Sequence, residues 1–217
     1  MALDPQQIAT YLRNHPDFFE TYAPLLADLQ LPHPHGGRTI SIGERQVLTL
    51  RDKNRLLESK LAELIQFGEE NDAIGEKVHR FAVALLAARN VEHVLDIVYS
   101  YLGDDFTVPH ISMRIWGGVA LPHGRLEFAA VEAQIPTIVL AMAAPLCGQH
   151  PIQEALAWFG EEAAQLKSFA LIPLKHGDLG GLLVLASEDA NRFYPEMGNL
   201  FLKRIGDLVA GATAARL

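Results

Sequence analysis

Between Ser168 and Asp189 the chain reads as two apolar runs about a polar turn, SFALIPLKHGDLGGLLVLASED, and it then changes to helical spacing in RFYPEMGNLFLKRIGDLVAGA. Phe169 to Leu174 forms one apolar run. His176-Gly177-Asp178 supplies the turn, because glycine accepts positive φ and aspartate bonds to its own local backbone. An antiparallel hairpin is predicted. Leu182 to Ala186 is apolar at every position, which places its strand centrally in a sheet with both faces covered. Pro173 has no amide proton and suits an edge or an irregular position. After Pro195, read as a first-turn residue, Met197, Leu200, Phe201, Ile205, Leu208, Val209 and Ala212 mark the buried face of a helix.

Upstream, Ile111, Met113 and Ile115 alternate with Ser112, Arg114 and Trp116, the pattern of a strand with one face in the core. Val91, Val94, Leu95, Val98, Tyr101 and Leu102 predict a helix that Gly103 ends. Thr137 to Met142 reads as a further strand and Pro151 to Phe159 as a short helix. Phe106 to His110 and Leu121 to Arg125 read as loops. At the N-terminus, Asp4-Pro5 forms a helix start, and His15-Pro16-Asp17 opens a second short helix that Pro24 divides. Phe18, Phe19, Tyr22, Leu25, Leu26 and Leu29 are too many apolar groups for a free tail, so this piece packs on its own domain or on a partner protein. Leu31 to Thr39, rich in Pro, His and Gly, reads as a loop.

A long helix follows from Ser41-Ile42-Gly43-Glu44, which fits a capping box. Val47, Leu50, Asn54, Leu57, Leu61 and Leu64 step by three and four, a heptad seam with Asn54 at an a position. In a parallel homodimer the two Asn54 side chains meet across the axis, and Lys53 at g faces the partner's Glu58 at e. A long helix lying on its own domain satisfies the same spacing. The phase slips at Gly68, Asn71 and Gly75 and resumes at Ile74, Val78, Phe81 and Leu85. The organisation is therefore an N-terminal helical segment (1–40), a coiled-coil stalk helix (41–73) and a sheet-bearing domain (74–217). The fold class is α+β, an antiparallel sheet flanked by helices.

Composition narrows the function. The chain has 217 residues, 49% of them apolar, and a net charge of −8, which argues against broad nucleic-acid affinity. Cys147 is the only cysteine, so no intrachain disulfide forms. Nothing at the N-terminus reads as a signal peptide, and the most apolar window, Ile135 to Cys147, is too short to span a bilayer. A cytoplasmic protein off the membrane is expected. Nine histidines, with His33 and His35 in a Pro/Gly loop, form no recognised metal-ligand spacing. No Gly-x-Ser-x-Gly elbow or P-loop is present, and an enzyme is not expected.

Candidate ligand contacts gather in two places. Arg114 and Trp116 share the non-core face of their strand, where an arginine beside an indole holds an anionic group together with a flat ring. That face equally suits plain solvent or a covering helix. Met142, Cys147, His150, Trp158 and Phe159 lie near a second candidate region, although Trp158 and Phe159 also read as core anchors and Cys147 as a small buried hydrophobe.

Several short stretches carry a resemblance: Tyr11-Leu12-Arg13-Asn14-His15-Pro16-Asp17-Phe18-Phe19, Leu31-Pro32-His33-Pro34, Glu44-Arg45-Gln46, Cys147-Gly148 and Ser168-Phe169-Ala170-Leu171-Ile172-Pro173-Leu174, then Ser187-Glu188-Asp189 with Arg192-Phe193, and Met197-Gly198-Asn199-Leu200-Phe201-Leu202. Over nearly its whole length the chain resembles DUF484, a bacterial family of uncharacterised proteins described as GAF-like. The closing strand-turn-strand-helix succession is how GAF domains end. The resemblance implies a GAF- or PAS-like sheet, a cytoplasmic proteobacterial protein and no established activity. It places Cys147, His150, Trp158 and Phe159 where GAF domains fold the lid of their pocket. The pattern used by GAF members that bind cyclic nucleotides is absent. Cys147 lacks both the cysteine partners of members that reduce methionine sulfoxide and the adjacent histidine of bilin carriers. The leading expectation is a homodimeric, small-molecule-responsive signalling module whose ligand and any cofactor the sequence does not name. The alternatives are a dimeric interaction scaffold with a self-filled pocket, recruiting partners through its N-terminal helices, and a thiol redox enzyme using Cys147.

Overall fold

The computed structural model describes residues 4–28, 30–33, 36–118 and 124–217, with side chains described except at 26–42 and 44. Its contacts divide the chain into two compact units, residues 1–69 and 70–217.

In the first unit, α1 (Pro5–Asn14) starts as the sequence indicates. Asp4 is the N-cap, its Oδ1 accepting from the Gln6 amide at 3.2 Å, and Pro5 occupies the first turn, where a missing amide proton costs nothing. Two short helices follow, α2 (Phe18–Thr21) and α3 (Ala23–Asp28). Neither α1 nor α2 buries a residue. Their rings instead pack on one another: Tyr11 stacks on His15 with centroids 4.4 Å apart, and Phe18 meets Tyr11, Phe19 and Tyr22.

Where a loop was expected over Leu31 to Thr39, β1 (Gln30–His33) and β2 (Gly36–Ser41) pair antiparallel, with Leu31 opposite Ile40 and Pro32 opposite Thr39. Each strand of a two-stranded ladder keeps a free side, which tolerates a proline that a central strand would reject. The capping contacts expected of Ser41 and Glu44 lie outside the described side chains.

Helix α4 (Ile42–Ala87) runs unbroken through Gly68 and Gly75. Along its first half Val47, Leu50, Asn54, Leu57, Leu61 and Leu64 are all exposed, Leu57 at 67%.

In the second unit, α5 (Val91–Ser100) is capped by Asn90, whose side chain accepts from the His93 amide at 2.9 Å. The helix does not stop at Gly103. It continues as a π-helical turn over Tyr101–Asp105, and the reversal falls to Thr107, at φ 52°. Gly103 has no positive φ and so does not act as the cap.

The remaining elements are β3 (His110–Trp116), α6 (Gln134–Ala141), β4 (Leu146–Gly148), α7 (Gln153–Leu156) with a 3-10 segment Ala157–Gln165, β5 (Ser168–His176), β6 (Leu179–Ser187) and α8 (Leu200–Ala214). The four strands form one antiparallel sheet in the order β3-β6-β5-β4. The predicted hairpin is present, turning at Gly177 with φ 57°. Pro173 sits beyond the end of β4, which pairs only with Phe169, Ala170 and Leu171, so β5 is locally an edge there.

Two further expectations are corrected. Thr137 to Met142 belongs to helix α6 and its C-cap, because only Ile135, Val139 and Met142, at helical spacing, reach the core, while Leu140 is 77% exposed. Burial at that spacing overrides the β-branched character of the run. Helix α8 begins at Leu200 rather than near Pro195, with Asn199 as N-cap. Of the expected apolar residues, Ile205 and Val209 are buried and Met197, Phe201, Leu208 and Ala212 pack partly buried against the same core, while Leu202, Gly206, Ala210 and Thr213 are buried as well and Leu200 is exposed. Gly206 allows the close approach: a Cβ there would stand 2.6 Å from Ile172 Cγ2, so α8 meets β5 at a residue without a side chain.

The sheet is buried on both faces. One face carries Met113, Ile115, Ala170, Ile172, Leu174, Leu183 and Leu185, against Val78, Phe81 and Leu85 of α4 and the inner faces of α5 and α8. The other carries Phe169, Leu171, Leu182, Val184 and Ala186, against Ile135, Val139, Met142, Ala155, Phe159 and Leu166. Leu182 to Ala186 is at most 2% exposed, as its unbroken apolar run requires.

Candidate functional site

Arg114 leaves β3 on the face opposite Met113 and Ile115. Its guanidinium carbon stands 4.9 Å from the Trp158 ring centre, and its Nη1 donates to the Met113 carbonyl at 2.9 Å. Burial lowers the Arg114 pKa, opposed by the nearby Tyr99 phenol oxygen and the Glu127 carboxylate, yet an arginine so placed keeps its proton.

Glu127 is 6% exposed, deep for a carboxylate, and three groups satisfy it. Arg125 donates through Nε at 3.2 Å and Nη2 at 3.4 Å, and the Tyr99 hydroxyl also bonds to it. Arg125 reaches Asp96 as well, at 3.0 Å, and these two hydrogen bonds raise its own pKa. Burial first, and then the Glu127 carboxylate, push the Tyr99 phenol well up. The charges settle unevenly. Glu127 and Arg125 neutralise one another and Asp96 is largely solvated, whereas Arg114 has no carboxylate within ion-pair distance among the described residues.

Trp116 lies on the same face of β3, two residues on. It pairs in register with Gly180 and its indole covers that residue, filling the space a side chain would take. With Pro136, Val139, Leu140, Lys175 and the hairpin turn it lines a surface cleft of about 350 Å³. Lys175 caps the end of α6, donating to the Leu140 and Met142 carbonyls at 2.9 and 2.7 Å.

The structure thus brings together Arg114, Trp116, Met142, Trp158 and Phe159 on one face of the sheet. Met142 and Phe159 serve there as core, 7% and 9% exposed. It does not bring Cys147 or His150 to Arg114. Cys147, on β4, packs against the opposite core, burial pushes its thiol up, and His150 is exposed in the following loop. Tyr99, Arg125 and Glu127 were missed, because the phenol lies on α5 and the acid and base on a separate short segment, with no spacing that links the two.

Among the described residues no helix is long and apolar enough to cross a membrane, and no group of three or more His, Cys, Asp or Glu is placed to hold a metal ion.

Fold and site define a mixed helix-and-sheet module: a long N-terminal helix and a four-stranded antiparallel sheet flanked by helices, with a buried polar cluster beside its edge strand. The chain belongs to the family described as Protein of unknown function, DUF484, whose model matches residues 1–216. It is also similar to the Uncharacterized protein YigA of Salmonella typhimurium, 28% identical over 93 residues. That match covers 43% of this chain and 39% of the relative, so the chain aligns with well under half of that protein's length.

Proposed function

We propose that this protein is a GAF-like regulatory module of the cytoplasm, acting as a homodimer and responding to a small anionic molecule with a flat ring. One observation carries the reading: a part-buried guanidinium lies against an indole, with no carboxylate within ion-pair distance of it among the described residues. An anionic group would complete Arg114, and Trp158 and Trp116 offer faces for a ring. Met113 and Ile115, which alternate with the site along β3, pack in the core that holds Val78, Phe81 and Leu85 of α4. A ligand that shifts β3 therefore biases the end of α4, which gives binding an output only if it favours one packing over another.

The homodimer rests on the exposed α4 seam, where burying Leu50, Leu57, Leu61 and Leu64 against a second copy would stabilise association by roughly 1.5–3 kcal/mol for each fully buried side chain. A second reading, an interaction scaffold without a ligand, is favoured by Met142 and Phe159 filling the sheet face that a GAF pocket would use.

The test equilibrates the intact protein with a small-molecule extract, washes it, and identifies what denaturation releases. An anionic compound retained by the wild type and lost from Arg114→Met supports the sensor. Equal retention by both, or none, favours the scaffold.

A further inference from the structure

We infer that the outer ridge of α8 is a second self-association surface, on which two copies of the chain pack antiparallel about a two-fold axis between Gly211 and Ala212. This goes beyond the α4 seam and does not depend on it.

Beside α8 the last turns of α4 leave an apolar groove of about 300 Å³, lined by Ala82, Leu85 and Leu86 on one side and Leu208, Gly211, Ala212 and Ala215 on the other. Leu86 is 78% exposed, far more than an isolated core-edge leucine needs to be. The groove ends differ in charge. Asp207 stands at one, bonded to Lys203 only through Oδ2 at 2.8 Å, which leaves Oδ1 available. Arg216 stands at the other, donating to the carbonyls of Leu86, Ala88 and Ala212, with no carboxylate in ion-pair range among the described residues.

Charge and size together select the occupant. Antiparallel pairing centred on Gly211 and Ala212 sets Asp207 against the partner's Arg216, Leu208 against the partner's Ala215, and Gly211 against the partner's Ala212. Acid meets base, large meets small, and the two smallest positions meet where the helices approach most closely. A parallel arrangement would oppose Arg216 to the partner's Arg216 and Leu208 to the partner's Leu208. The antiparallel register is self-complementary, as an isologous interface must be. Leu86, at the rim, reaches toward the gap left by the partner's small residues.

The test places single cysteines in the full-length chain carrying Cys147→Ala and oxidises each mildly. Gly211→Cys, beside the axis, should cross-link to its own mate. Ala215→Cys should not, but should cross-link when mixed with Leu208→Cys. Self-cross-linking at both 211 and 215 would mean parallel packing and overturn the inference, as would no cross-link at any position. Sedimentation supplies a readout free of cysteine: Leu86→Glu should weaken this association about tenfold or more. With Leu57→Glu removing the seam, α8-mediated dimers should persist. An unchanged constant in Leu86→Glu, or complete loss of association in Leu57→Glu, overturns the surface.

Discussion

At Gly206 a single missing side chain sets how closely α8 lies on the sheet. Gly206→Ala should cost about 1–3 kcal/mol, because the new Cβ meets Ile172 and the Pro173 carbonyl, atoms held by strand β5. A denaturant midpoint lowered at unchanged slope would show it. Tyr99 poses a polar version of the same problem. Tyr99→Phe leaves buried Glu127 short of a donor and should cost about 1–3 kcal/mol. The pH dependence has a definite sign. The folded Tyr99 pKa lies above that of an unfolded tyrosine, so its contribution is fully present below roughly pH 10 and is lost as pH rises beyond it. The wild type should therefore lose more stability than Tyr99→Phe when titrated upward from that point; parallel curves would remove Tyr99 from the account. The raised Cys147 thiol carries a further expectation, slow alkylation at neutral pH in the folded protein.

Helix α4 brings together what sequence shows well and what it shows badly. Its existence and its apolar seam follow from three-four spacing and its start from the capping box at Ser41, neither of which needs tertiary information, whereas the exposure of the seam does. The slip at Gly68 and Gly75 does not interrupt the helix, since a shifted apolar pattern changes which face is greasy without removing any backbone hydrogen bond. Both glycines have open space around the missing Cβ, so Gly75→Ala should stabilise the helix by about 0.5–1 kcal/mol, read by thermal unfolding. Asn54 bonds to Glu58 within its own helix at 3.2 Å. Asn54→Leu should tighten self-association and broaden its stoichiometry, while a variant as monomeric as its parent would dismiss the seam. Elsewhere, α6 was mistaken for a strand because its β-branched run carries strand propensity and its burial depends on a sheet distant in sequence. The hairpin β1–β2 was concealed by proline and glycine that an isolated ladder tolerates.

For the molecule as a whole, the sheet was legible because β5 and β6 are apolar on both faces and their turn is short. The site was legible only in part. Arg114 and Trp116 could be placed on one face by strand alternation, but Trp158 reaches Arg114 from a 3-10 segment, and Tyr99 and Glu127 from other elements again. Long-range assembly of single residues leaves no periodic trace. What the arrangement offers is a cation against indole, with no carboxylate in ion-pair range among the described residues, on one side of the sheet, and on the other a core shared with α4. The central claim is that a paired chain holds a small anion there. A native mass spectrum of gently purified wild type, run beside Arg114→Met, tests it most directly. A dimer or an even multiple carrying added mass that the variant lacks is the expected result, and a bare monomer in both samples would contradict the claim.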